Sequence, residues 1–379
     1  MTNRLLFRPI PFKDETAASI LIRAAKENGH ASVYQLLAGS GMSINEPSLR
    51  AAIIDPGRFV AIVRQLGLTD DAAALSLKRA SSSRRSSRRY HAIEIPDRCF
   101  RRDDARAFCA ACLTELPYWR QQWLVRPFAV CTRHKCLLVD HCVHCKRIPS
   151  IGRSEIAACN HCQTSLLTMH GAPANTEVMQ TIEELLKSAD AAAVNNVLEF
   201  WSALERFDEL DDSPANEYAR LEVAVAFFRS EVTAVEHVAT QVVPRIPITG
   251  PRIQLLPFLS GSSSLNRFGE EVLTQVWPLT QIGAAESRLS HLSKSEVCII
   301  LKMPPAKLTR LITRGAINWP DDGSRQQKIA ITERELREHG FSQTEILYLY
   351  PDVPDCSFRP RARPVQKLQR YQISHEKQR

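Results

Sequence analysis

The sequence lacks any apolar run near the roughly 20 residues that a bilayer-spanning helix requires; stretches such as Val223–Phe228 are far shorter. Its start, Met1-Thr-Asn-Arg-Leu-Leu-Phe-Arg-Pro, meets prolines before a signal-peptide core can form, so neither secretion nor membrane insertion is expected. No GxxxxGK[ST] loop is present, which excludes a P-loop ATPase, and no HExxH helix is present either. No histidine stands with a carboxylate and a nucleophile at an informative spacing, and the acidic residues form no recognisable nuclease or transposase set. A non-enzymatic protein is therefore expected.

What is present is an ordinary folding composition. The 379 residues are 44% hydrophobic and 24% charged, sufficient for two or three compact domains with linkers. Forty-nine Lys and Arg against 41 Asp and Glu leave a formal charge of +8, a sign that favours anionic partners without proving one.

Eleven cysteines are many, and eight of them fall between Cys109 and Cys162. Such a cluster reads as metal binding rather than as a disulfide framework. The spacing is Cys109-x2-Cys112, eighteen residues, Cys131-x2-His134, then Cys142-x2-Cys145, thirteen residues, Cys159-x2-Cys162. Each short pair lets one tight turn offer two ligands to the same ion, and two turns complete a tetrahedron of the thiolate and imidazole donors zinc prefers. Two zinc ions per chain are expected, at structural sites with no open position for water. The pairs ligate either in sequential order or interleaved. Cys136, His141, His144 and His161 stand close enough to substitute but break the two-residue turn, and Cys99 and Cys298 read as buried structural thiols. Trp119 and Trp123, four apart between the two halves, supply packing area that a small metal module otherwise lacks.

The expected fold is mainly α: a small helical N-terminal domain, a tandem zinc-finger module and a helical C-terminal domain with a helix-turn-helix. The first, helix-turn-helix-like unit spans 1–77. Its opening helix has Asp14 as a candidate N-cap, Ala17, Ile20, Leu21 and Ala24 at helical spacing, and Asn28-Gly29 at its close. Further helices are expected near Ser32–Leu37 and Arg58–Leu66. A basic linker at 78–107 follows, in which Arg84, Arg85, Arg88 and Arg89 are either solvated or in contact with phosphates. The zinc module occupies 108–170 and the C-terminal helical domain 171–356, with a long helix at Tyr218–Val242, a proline-broken connection to Ser260, and helices near Glu270–Val276 and Thr332–His339. A basic tail, 357–379, ends the chain. At 293–315, Ser293-x-x-Glu296 is a capping box, Pro305 opens a second helix, and Lys307, Arg310 and Arg314 lie on its outer side. This pattern serves either DNA readout or protein packing.

Phe7-Arg-Pro-Ile-Pro-Phe-Lys-Asp-Glu-Thr-Ala-Ala-Ser-Ile-Leu-Ile-Arg resembles the opening of TniQ/TnsD proteins, the target selectors of bacterial transposons. So does the series Cys109-Ala-Ala-Cys-Leu, Tyr118-Trp-Arg, Trp123, Cys131-Thr-Arg-His-Lys-Cys-Leu-Leu and Cys142-Val-His-Cys. The length and the helical C-terminal half are most similar to TniQ of type I-F CRISPR-associated transposons. That resemblance implies a bacterial cytoplasmic homodimer that rides on the guide-RNA Cascade complex and passes the chosen site to the AAA+ regulator TnsC. It implies contact with target DNA only indirectly or through phosphates, because base pairing reads the sequence. The alternative is a TnsD-like selector that binds a specific DNA sequence itself.

Overall fold

The computed structural model describes residues 5–77, 87–101, 107–208, 210–230, 232–245, 251–280, 290–301, 303–313, 319 and 328–331. Arg84, Arg85, Arg314, the helix expected at Thr332–His339 and the basic tail lie outside the described residues. The chain divides into two compact units. One runs from the N-terminus to Glu231 apart from Arg206–Asp208; the other takes those three residues and the chain from Val232 onward. The architecture is mainly helical, and among the described residues no helix is long and apolar enough to cross a membrane.

The first unit opens with five helices, α1 (Ala17–Glu27), α2 (Val33–Gly39), α3 (Glu46–Ile53), α4 (Pro56–Leu66) and α5 (Asp70–Ala73). Ser32, Asn45 and Asp55 each cap the following helix by accepting a backbone N–H with the side chain. The cap of α1 is Thr16, whose hydroxyl accepts the Ser19 N–H at 3.1 Å, and not Asp14. Asp14 is engaged elsewhere: it accepts the Tyr118 hydroxyl at 2.6 Å and pairs with Arg120 at 3.4 Å. A hairpin of β1 (Ser87–Tyr90) and β2 (Ile93–Pro96) follows, in the register Arg88↔Ile95 and Arg89↔Glu94. Short α6 (Ala110–Glu115) and a two-residue-per-strand hairpin, β3 (Val130–Cys131) with β4 (Cys136–Leu137), then frame the cysteine region.

One hydrophobic cluster contains Ile20, Leu36 and Phe59 of the opening helices together with Trp119, Trp123, Cys109, Cys112, Cys142 and Cys159. The cysteine region has no core of its own; it closes over the helices. The backbone is tied across the same boundary, with the Thr16 N–H donated to the Trp119 carbonyl at 2.8 Å and the Gln121 N–H to the Asp14 carbonyl at 2.7 Å. Helices α7 (Glu177–Lys187), α8 (Ala191–Phe207) and α9 (Pro214–Phe228) complete the chain up to the second unit. Within the first unit, Glu217 of α9 is fully buried and joined to Arg101 at 2.5 Å and Arg126 at 3.0 Å.

The single helix expected at Tyr218–Val242 is two. Ser230 adopts a positive φ of 58°, which ends α9, and α10 (Val232–Val242) starts afresh. In the second unit the proline-rich connection is also more regular than expected. Pro251 begins α11 (Pro251–Gln254) and Pro257 sits in the first turn of α12 (Leu256–Leu259), where a missing N–H costs nothing. Helix α13 (Ser263–Thr280) is longer than the expected Glu270–Val276 and carries Gly269 in its interior, where a Cβ would meet Leu259 at 2.9 Å. A last antiparallel pair joins β5 (Ser290–Ser293) to β6 (Lys328–Ile331). Between these strands lie α14 (Lys294–Ile300), with the expected capping box of Ser293 and Glu296, and α15 (Pro305–Thr313). Leu292, Val297, Ile300, Leu301, Met303, Leu308 and Trp319 form their core.

Candidate metal centres

The ligand atoms of Cys109, Cys112, Cys131 and His134 lie within 4.8 Å of one another, as do those of Cys142, Cys145, Cys159 and Cys162. The sequence left sequential and interleaved grouping open; the fold brings the residues together sequentially. Cys109 stands at the N-terminus of α6 and Cys112 one turn inside it, so a single turn of helix aims both sulfurs the same way. Cys131 ends β3, and the turn carrying His134 returns to β4 through Lys135 at φ 51°. The second cluster repeats that turn twice. The Lys146 N–H is donated to the Cys142 carbonyl and the Gln163 N–H to the Cys159 carbonyl, each residue at positive φ four positions after the first cysteine of its pair.

The spacing within each cluster tests the fit to zinc. Zinc–sulfur bonds of about 2.3 Å in a tetrahedron put sulfurs ~3.8 Å apart, and a zinc–nitrogen bond of about 2.05 Å brings the nitrogen to ~3.5 Å from each sulfur. Cys112 and Cys131 are 3.6 Å apart, Cys142 and Cys162 3.6 Å, and Cys145 and Cys159 3.7 Å. His134 Nδ1 lies 3.5, 3.3 and 3.6 Å from the sulfurs of Cys109, Cys112 and Cys131. These are the edges of a coordination tetrahedron, well beyond the ~2.05 Å of a disulfide. Each cluster fits one metal ion, with zinc the natural occupant of such donors.

His134 is oriented as a ligand. Its other nitrogen, Nε2, lies 3.1 Å from Glu115 Oε1, the carboxylate–imidazole arrangement that fixes tautomer and ring orientation in metal sites. Glu115 was not singled out from the sequence, although it stands three residues after Cys112, on the last turn of α6. Cys136 is also close, 3.7 Å from Cys109, but it is His134 that meets all three sulfurs of the cluster. The thiols act on one another as well: contact with Cys109 and Cys131 pushes Cys112 up, while hydrogen bonds from Cys109 and Cys112 pull Cys131 down. Crowded sulfurs cannot share charge without a cation among them, so each ion would supply what these sites lack.

Trp119 and Trp123 are buried and meet edge to face at 5.9 Å, which makes them packing residues. Of the basic residues singled out in the sequence, Arg88 is buried against the Phe100 ring and pairs with Asp97 at 3.1 Å. Arg89 is exposed, 3.8 Å from Glu94. Lys307 and Arg310 are exposed on α15, in the second unit. The structure gathers the eight metal-ligand candidates into two sites.

Residues 6–138 match the TniQ family model. The match takes in the first metal cluster whole and ends before Cys142, leaving the second outside it. No curated protein matches the chain.

Proposed function

We propose that this protein, through its TniQ family domain, is a non-catalytic adaptor of transposition target selection. It links a guide-RNA Cascade complex to the AAA+ regulator TnsC, so that DNA is integrated at an RNA-chosen site. The family match over residues 6–138 carries the reading. Its chemistry agrees: both clusters have four protein ligands, a closed arrangement that leaves no open coordination position for a substrate and serves to hold a surface in shape. In this reading the chain acts as a homodimer, with zinc at Cys109/Cys112/Cys131/His134 and at Cys142/Cys145/Cys159/Cys162. Target DNA is met indirectly or at phosphates, since pairing with the guide reads the sequence.

The second reading is a TnsD-like selector that reads DNA directly. The feature in its favour is α15, which presents Lys307 and Arg310 on its exposed side. The two are separated by capture of Cascade on immobilised protein, with and without guide RNA, beside DNA binding by the protein alone. The adaptor should retain guide-loaded Cascade and bind duplex DNA weakly, with a steep loss in salt and little sequence preference. Sequence-selective DNA binding that survives about 0.2 M salt, with no capture of Cascade, would establish the selector instead.

A further inference from the structure

A cavity of about 500 Å³ lies within the first unit, lined by Tyr34 of α2, by Glu46 and Arg50 of α3, and by residues from the segment 148–163. Arg153 is one of the lining residues. It is 4% exposed and is held from two sides. Its guanidinium carbon lies 4.8 Å from the centre of the Trp119 ring, and Nη1 donates to the Ser150 carbonyl at 2.9 Å. Ser150 is fixed in turn: its N–H is donated to Asn160 Oδ1 at 2.9 Å, and its hydroxyl accepts Asn160 Nδ2 at 3.1 Å. Nε and Nη2 of Arg153 are buried without an acceptor.

These two nitrogens form a chemical pair. Nε–H and Nη2–H point the same way along one edge of the planar guanidinium, the edge that receives a carboxylate through two parallel hydrogen bonds. A buried charged donor without an acceptor is strongly unfavourable, and the indole face repays only part of it. The other charges on the wall are already matched, Glu46 by Arg50 and Glu155 by Lys26. The cavity therefore keeps one positive charge, and the occupant that balances it carries one negative charge on two coplanar oxygens. A run of phosphates would bring further negative charge against Glu46 and Glu155. The volume suits a small ligand and exceeds one carboxylate, so it has room for the chain that bears it, with Tyr34 and Ile148 as apolar wall.

We propose that this cavity is a carboxylate-binding site for a polypeptide partner, in which Arg153 takes the carboxylate bidentately through Nε and Nη2. Trp119 and Ser150 preset the guanidinium, so little ordering is left for binding to supply. The lining residues from Ile148 onward lie beyond the family match, so the site needs both the opening helices and the second cysteine segment. It serves an adaptor and a DNA-reading selector alike.

Side-chain NMR of the full chain, isotope-labelled at the arginine nitrogens, tests this; loss of a signal in Arg153→Lys assigns the Arg153 Nε–H. The probes are acetyl-glutamyl N-methylamide, its neutral glutaminyl counterpart, N-acetyl-alanine, whose carboxylate is terminal, and inorganic phosphate. At least one of the two carboxylate probes should shift the Arg153 Nε–H saturably, with a midpoint of about 1 mM, the strength expected of so small a ligand. Which of them binds more tightly distinguishes an acidic side chain from a chain terminus as the source. The glutaminyl probe should leave the signal unmoved. Arg153→Gln should abolish binding followed on the probe's own resonances, with an unchanged circular dichroism spectrum to show that the variant is folded. No response of the wild-type Nε–H to either carboxylate, even well above that concentration, would overturn the proposal. So would an equal response to the glutaminyl probe, or binding that survives in the folded glutamine variant. A response confined to inorganic phosphate would overturn it as well, and would make the cavity a phosphate site instead.

Discussion

Metal removal should unfold the first unit as a whole rather than loosen two knuckles. The reason is the shared core: Cys109, Cys112, Cys142 and Cys159 are buried in the same cluster as Ile20, Leu36, Phe59 and Trp119. A structural zinc contributes on the order of 10–16 kcal/mol in small domains, whereas a whole domain is stable by about 5–15 kcal/mol. Losing even one ion therefore removes an amount comparable to the entire stability. The tetrahedral spacing within both clusters says that full coordination needs no rearrangement of the fold, so little of that contribution is spent on strain. The assay is titration with a strong chelator, following metal release together with tryptophan emission and far-ultraviolet circular dichroism. Release of metal should coincide with a red shift from Trp119 and Trp123 and with loss of helical signal from α1–α5. Cys131→Ser should reproduce the effect at the first site and lower the bound metal from two ions to one or fewer. A chain that gives up both ions yet keeps its native emission and its melting temperature would refute the reasoning.

Three further outcomes are expected. His134→Ala should weaken the first site and Cys136→Ser should leave two ions bound, as read by metal analysis of the purified proteins; the reverse result would make Cys136 the fourth ligand. Arg101→Met strands the buried Glu217 with Arg126 as its remaining partner, and should cost about 3 kcal/mol in denaturant unfolding, the low end for a broken buried pair. Burial already raises the Glu217 carboxyl above its ordinary range, and loss of Arg101 raises it further. The folded state then binds the proton more readily than the unfolded one, so the deficit should shrink as pH falls from the folded towards the unfolded value. Ser293→Ala removes the hydroxyl that caps α14 and should cost about 1 kcal/mol of the second unit's stability.

The helical character of the chain was legible wherever capping chemistry and apolar period agreed. Ser32 before α2, Ser293 before α14 and the Asn28-Gly29 stop of α1 are all where the sequence puts them. Asp14 failed as a cap because its carboxylate is taken by Tyr118 and Arg120, over a hundred positions away in sequence. The β1–β2 hairpin was not legible either: Arg88 reads as solvated or in contact with phosphates, whereas the fold buries it against Asp97 and the Phe100 ring. Gly269 would count against a long helix at α13, and becomes intelligible only once Leu259 is seen packed on it. In each case a tertiary partner decided against the local signal.

The metal sites show the opposite balance. Two-residue spacing is a local constraint, so the eight residues that the fold gathers into two clusters, His134 included, could be named from the sequence. What spacing could not supply was grouping, because a gap of eighteen or thirteen residues allows either partner. Grouping is decided by the β3–β4 hairpin, which returns His134 to α6, and by the paired positive-φ turns at Lys146 and Gln163. Neither Lys nor Gln advertises that backbone conformation as glycine would. The outer shell was the least visible part. Glu115 looks like an ordinary surface charge in the sequence, and its role follows from what it faces, an imidazole nitrogen of His134. The paired ligands are set by the turn that carries them, whereas the group that orients His134 is brought to it by the fold, from α6.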